Sequence, residues 1–286
     1  MTPRAKTIQI FLPGGDPRGV RVAEMTTRIV QVIEVPRSLL ADFLAMPESA
    51  QVALYFLFGE SEDGTDPRVY IGQTGDLRAR LTSHNKEKDF WERAVVLISR
   101  TNNLTQTHAL YLEWHCLQAA TEAERYQTDN GTRGTRPHTP APLEADCLEM
   151  FETGHALLAT LGYALFDPVR KPVTQAAPVE EFILTLSGAN GRGLYTTDGF
   201  VVLKGSSGRA ALVPSVIGTS TGAMRQSLID AGVIAITGDT ATFAKDHLFR
   251  TPSGAACAVL GRTANGWIEW TTKDGRTLDA VKRQIL

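Results

Sequence analysis

The chain has 286 residues, 43% of them apolar, with a formal net charge of −2. That is enough for one large or two ordinary domains with real cores, and it excludes a disordered chain or a strongly basic nucleic-acid binder. No apolar run approaches the ~20 residues of a membrane span and none follows Met1 as a signal peptide would, so no membrane association and a cytoplasmic location are expected.

Residues 5–35 alternate as KTIQIFLP, GVRVAEM and RIVQVIEV around a Gly/Asp/Pro-rich loop, which predicts a small antiparallel β unit. Pro36-Arg37-Ser38 then opens a short helix, LLADFLAM, with Ser38 as its cap, and this N-terminal segment covers residues 1–49. The next run, VALYFLFGESEDGTDPRVYIGQTGDLRARLTSHN, has two short apolar stretches flanking a turn and then a helical pattern. It predicts a β-hairpin feeding a helix, with Tyr55 and Tyr70 on paired strands. In that helix Leu77, Arg80, Leu81 and His84 fall at three- and four-residue spacings, so Arg80 and His84 share a face one turn apart.

A second helix is expected over about Thr105 to Tyr126, with Ala109, Leu112, Cys116, Leu117 and Ala120 as its apolar stripe and Glu113 within that stripe. Burying a lone carboxylate costs on the order of 3 kcal/mol or more, so Glu113 calls for an arginine, a strong donor or a metal ion. Residues 128–142 read as a loop, and a helix follows over about Leu143 to Leu161, with His155 packed or at its rim. Residues 167–179, DPVRKPVTQAAPV, read as a linker. The remainder, 180–286, predicts a second α+β domain: strands at FILTL, LYTT and GFVVLKG, a helix over about Gly222 to Ala231, a helix capped by Thr251 with Pro252 at its first position, and a final hairpin GWIEW-TTKDG-RTLD. That hairpin puts Trp267 and Trp270 on opposite sides of a strand. Cys116, Cys147 and Cys257 are far apart within helical patterns and read as reduced core thiols.

Tyr55, the intact Tyr70-Ile71-Gly72, Arg80, His84 and Glu113, in that order on that secondary structure, resemble the active site of a GIY-YIG nuclease. The GIY element itself is Ala53-Leu54-Tyr55, which keeps only the tyrosine, and Asn130 matches the family asparagine. The resemblance covers roughly residues 50–130, within an expected nuclease domain of residues 50–166. It implies an α+β fold with a small antiparallel sheet flanked by helices, and metal-dependent hydrolysis of phosphodiester bonds in nucleic acid, DNA above all. By the same resemblance Glu113 binds Mg²⁺ (or Mn²⁺), Arg80 donates to a phosphate oxygen, Tyr55 or Tyr70 orients the attacking water, and His84 holds a tyrosine hydroxyl. The segments GFVVLKGS, HLFRTPSGAACAVLGRTANGWIEW and KDGRTLD resemble an uncharacterised domain often appended to GIY-YIG proteins.

The charge is uneven. Residues 183–286 hold 11 Lys/Arg against 7 Asp/Glu, and residues 68–100 hold seven basic against four acidic side chains. Basic charge near the motif suits a site that meets phosphate. Gly72, Lys86, Lys204, Arg209, Arg225, Arg250 and Arg262 are therefore expected to contact substrate. The alternative is a non-catalytic module that binds nucleic acid or protein on the same scaffold, with a protein partner or a second copy of the chain.

Overall fold

The computed structural model describes residues 5–60, 67–131, 134–169 and 180–284. The expected hairpin turn (61–66) and most of the expected linker (170–179) lie outside the described residues. The fold is mixed α and β, and the chain divides into two units, Met1–Pro168 and Val169–Leu286.

The first unit is built on one seven-stranded sheet. Its strands are β1 (Gln9–Phe11), β2 (Arg21–Glu24), β3 (Val30–Pro36), β4 (Ala53–Glu60), β5 (Pro67–Thr74), β6 (Trp91–Ser99) and β7 (Gln127–Thr128), in the order β1-β2-β3-β6-β4-β5-β7. The N-terminal strands thus continue the sheet that carries the motif. All neighbours are antiparallel except β5 and β7. β6, which the sequence-based expectation lacks, lies between β3 and β4. It and β4 are apolar on both faces because both faces are covered. Helices α3 (Gln106–Ala123) and α4 (Ala141–Thr160) pack on one face around Phe56, Ile71, Leu97 and Leu112. Helices α1 (Leu40–Ala45) and α2 (Leu77–Glu87) cover the other around Phe43, Leu57, Leu81 and Trp91.

Ser38 is not a helix cap. It sits inside a 3-10 turn, Arg37–Leu39, and α1 begins after Leu39 without a side-chain cap. Thr105 does cap α3, in a reciprocal box with His108.

A charge is buried in this unit. Glu34 on β3 is 1% exposed and is bonded by Arg21 from β2, by Arg93 of β6 at 3.0 Å, and by the Tyr163 hydroxyl at 2.7 Å. Arg21 also donates to the Leu161 carbonyl at 3.3 Å, so this cluster ties the end of α4 to the sheet.

The second unit has a four-stranded sheet, β14-β10-β9-β8, and a three-stranded one, β11-β13-β12. The strands are β8 (Glu181–Leu184), β9 (Gly191–Thr196), β10 (Gly199–Val202), β11 (Ser207–Arg209), β12 (Ile234–Thr237), β13 (Thr240–Phe243) and β14 (His247–Phe249). With α5 (Ser220–Asp230) and α6 (Pro252–Leu260), they enclose a core that includes Phe182, Phe200, Phe243 and Trp270. Thr251 caps α6, and Pro252 stands in its first turn.

The expected final hairpin keeps its turn, with Thr271 bridged antiparallel to Thr277 and the Thr272 N–H donating to the Arg276 carbonyl at 2.8 Å, but its arms are two short helices, α7 (Gly266–Glu269) and α8 (Leu278–Lys282). The Asn265 side chain accepts from the Trp267 amide and starts a helical turn, and Gly266 lies so close to the Pro252 carbonyl that no side chain fits. Trp270 is consequently buried at the end of that turn, donating to the Pro252 carbonyl at 3.1 Å. Trp267 is half-buried beneath the Arg283 guanidinium, 3.4 Å from its ring centre. All three cysteines are free and buried. Among the described residues no helix is long and apolar enough to cross a membrane.

The Glu34 cluster yields a stability prediction. Replacing both Arg21 and Arg93 by Met leaves a buried carboxylate with only a neutral partner and should cost about 3 kcal/mol or more, whereas Glu34→Leu should cost clearly less. Urea denaturation of both variants checks this, and equal losses would contradict it.

Candidate active site

The hairpin register brings the motif together. Tyr55 lies opposite Gly72, and Leu57 opposite Tyr70, so Tyr55, Tyr70 and Gly72 share the sheet face that α2 covers. A side chain at Gly72 would run into the Tyr55 ring and the Tyr70 edge. Its lack of one is what lets the first tyrosine lie across the second strand. Gly72 is therefore a seat for Tyr55, which occupies the position expected to meet substrate.

Helix α2 places Arg80 and His84 above these rings. The Tyr55 hydroxyl is 2.9 Å from His84 Nε2, and Arg80 Nε donates to it at 3.1 Å. The other end of the Arg80 fork donates to the Tyr70 hydroxyl at 3.4 Å, and the two tyrosine ring centres lie 6.2 Å apart. His84 is 3% exposed, and its Nδ1 is buried without a partner. A proton on Nδ1 would be an orphaned buried donor, so the low-cost neutral tautomer carries its proton on Nε2 and donates to Tyr55. Tyr55 then accepts from Arg80 and His84. The Tyr70 oxygen accepts from Arg80 and keeps its own O–H for a further partner.

Exposure sorts the tyrosines. Tyr55 is fully buried, whereas Tyr70 is half-exposed and Arg80 exposed. Tyr70 is thus the tyrosine able to touch a bound molecule, and Tyr55 stands behind it. Burial, reinforced by the neighbouring Tyr70, raises the Tyr55 pKa despite the Arg80 hydrogen bond. The bond to Tyr55 raises that of Arg80. Burial, then the charges of Arg80 and Lys88, push His84 down to about 4, so it is neutral near pH 7.

Glu113 comes from α3 and meets the motif just past Gly72, where its carboxylate accepts from the Gln73 backbone N–H. It is half-buried, and burial raises its pKa, opposed by the Gln73 bond and by the Arg80 charge. The donor its stripe calls for is thus the Gln73 N–H. Asn130 bonds Ile71 twice, accepting from its N–H at 3.0 Å and donating to its carbonyl at 2.7 Å. It works as one more rung on β5, fixing the strand between the two motif residues Tyr70 and Gly72.

Other expected contacts fall elsewhere. Lys86 is exposed on α2, whereas Lys88, two residues on, reaches the site: its ammonium lies 4.4 Å from the Tyr70 ring centre and 2.6 Å from Asp129. Lys88 continues the four-residue spacing from Arg80 and His84, a signal present in the sequence. Arg225 is 1% exposed and donates to the Arg209 carbonyl, so it is a core residue and is not available to a phosphate. Arg262 is paired with Glu269 at 2.9 Å. Lys204 and Arg250 are exposed and Arg209 is half-buried. A separate cleft of about 450 Å³, lined by Arg28, Asn103, His108, Asp146 and Glu149 among others, contains none of the motif residues.

Residues 182–282 match the family described as Domain of unknown function (DUF4357). No curated protein and no solved structure matches the chain.

His84 generates a pH prediction. Its folded pKa lies below the ordinary 6.5, so the unfolded chain binds the extra proton first as pH falls. The stabilisation is complete above about pH 6.5 and is lost on acidification toward about pH 4, on the order of 2 kcal/mol. Chemical denaturation of wild type and His84→Gln across this window should show a smaller decline in the variant. Parallel curves would refute the assignment.

Proposed function

We propose that the first unit is a GIY-YIG-type endonuclease that hydrolyses phosphodiester bonds of nucleic acid, DNA above all, with a divalent metal ion. The observation that carries this reading is the single hydrogen-bonded cluster of Tyr55, Tyr70, Arg80 and His84 beside Glu113. A hairpin followed by a helix, with a further helix supplying the carboxylate, also fits the arrangement the resemblance implies.

Hydrolysis needs a placed water, positive charge at the phosphorane oxygens, and help for the departing oxygen. Arg80 is exposed while its Nε and one terminal nitrogen are held by the tyrosines, so its guanidinium is oriented before substrate arrives and supplies fixed charge for a non-bridging oxygen. Tyr70 presents its hydroxyl outward and orients the water. Tyr55 and His84 are positioning residues, and neutrality lets His84 donate to Tyr55 without adding a buried charge.

Glu113 fits a metal of the Mg²⁺ or Mn²⁺ class. Its carboxylate is half-buried with a raised pKa, a cost that a cation would relieve. Among the described residues no group of three or more His, Cys, Asp or Glu converges. One carboxylate with water and substrate oxygens completing the shell is the usual habit of Mg²⁺. When bound, such an ion would supply Lewis acidity at the scissile phosphate.

The test is incubation of the full chain with supercoiled plasmid, linear duplex and single-stranded DNA, with Mg²⁺ or with chelator. Cleavage should require metal and vanish in Glu113→Gln, whose metal-free thermal stability should hold or rise because a partly buried charge is gone. Cutting at the wild-type rate by Glu113→Gln would overturn the reading.

Arg80→Ala should lower the rate by several orders of magnitude while affinity changes within roughly tenfold, since one phosphate contact is worth more in the transition state than in binding. Arg80→Lys should restore only part, because an ammonium cannot bond both tyrosines and a phosphate as the fork does. Single-turnover kinetics beside binding isotherms separate these outcomes, and equal losses in both would mark Arg80 as a docking residue.

A further inference from the structure

The end of α2 and the segment after β7 place charges beside Tyr70 that the reading above does not use. Lys88 follows the last helical residue, its backbone N–H closing on the His84 carbonyl at 3.0 Å. That geometry sends its side chain back over the Tyr70 ring, 4.4 Å from the centroid, with Phe90 5.9 Å away. The Lys88 side chain is 23% exposed, and its ammonium is held by Asp129 at 2.6 Å.

Asp129 is itself fixed. Its N–H donates to the Val69 carbonyl at 2.8 Å, its other oxygen pairs with Arg68, and its neighbour Asn130 brackets Ile71. Arg68 in turn lies over Phe90, 5.0 Å from its centre. Tyr70 therefore has Arg80 at its hydroxyl and a second cation on its face. Nothing in the fold needs a lysine there, because Asp129 already has Arg68 and the ring could be covered by an apolar side chain.

We propose that Lys88, seated by Asp129, is a positioning residue of the hydrolytic site that acts through Tyr70. The inference rests on the nuclease reading. The ammonium is attracted to the negative face of the ring and so restricts its rotation, which holds the hydroxyl where Arg80 meets it. Its charge also favours the electron density that moves onto the phenol oxygen as it orients the attacking water. Asp129 fixes the ammonium against the ring and offsets part of its charge.

Two substitutions separate this role from that of a structural strut. Lys88→Met removes the charge and keeps the bulk; Lys88→Arg keeps both the charge and the pair with Asp129. In metal-dependent cleavage by the full chain, Lys88→Met should lower kcat by about tenfold or more with KM within about threefold. Lys88→Arg, which can also cover the ring and pair with Asp129, should restore most of the rate. Thermal melts confirm folding, with Lys88→Gln in place of Lys88→Met if the latter unfolds. A wild-type kcat in Lys88→Met, or an equal loss in Lys88→Arg, would overturn the proposal while leaving the nuclease reading intact. A wild-type chain that cuts no nucleic acid would overturn both.

Discussion

A phenol oxygen shut away from water must find its hydrogen-bond partners inside the protein, and Tyr55 is fully buried. Its hydroxyl is the point where the sheet and α2 meet through polar groups, bonded by Arg80 and His84 beside the Tyr70 ring. Each partner gains its orientation from that oxygen. Arg80 is turned so that both tyrosines hold its fork, His84 takes the tautomer its unpartnered Nδ1 demands, and Tyr70 is left with a hydroxyl directed outward. The proposed chemistry begins with side chains that have little freedom left to lose on binding.

That arrangement depends on how the strands are held. β5 is gripped on one side by β4 along its whole length and on the other by only a two-residue strand, β7, extended by Asn130. An edge secured by side-chain rungs can end where a site begins, since the backbone beyond it need not pair. Gly72 completes the seat, because only a residue without a side chain admits the Tyr55 ring across the strand. Glu113 reaches the same place from α3 in the opposite layer, which explains why it is close to Gln73 and only half-buried rather than in the core.

Much of this was legible from periodicity and spacing. The Tyr55 and Tyr70 strands and the shared face of Arg80 and His84 follow from two- and four-residue repeats, and the buried stripe of α3 follows in the same way. β6 was not legible: WERAVVLIS is apolar nearly throughout, and such a run shows no alternation because both its faces are covered. Lys88 was missed in favour of Lys86 although it continues the four-residue spacing, since it stands one residue past the helix. Arg225 illustrates the reverse error: basic composition counts charges but cannot tell a surface arginine from one packed against the Arg209 carbonyl. The strand-like GWIEW became a helical turn because Asn265 caps it and Gly266 allows the close approach to α6, a tertiary contact that local pattern does not carry.

The account stands on the Tyr55 hydroxyl as an orienting node, and Tyr55→Phe removes that one atom while keeping the ring that fills the seat over Gly72. The direct measurement is single-turnover cleavage of plasmid DNA with Mg²⁺, beside substrate affinity and a thermal melt. The account predicts a folded variant, destabilised by about 1 to 3 kcal/mol because the Arg80 Nε and the buried His84 ring lose their acceptor, with near-normal affinity and a rate lower by about a hundredfold. A folded Tyr55→Phe protein that cuts at the wild-type rate would contradict it.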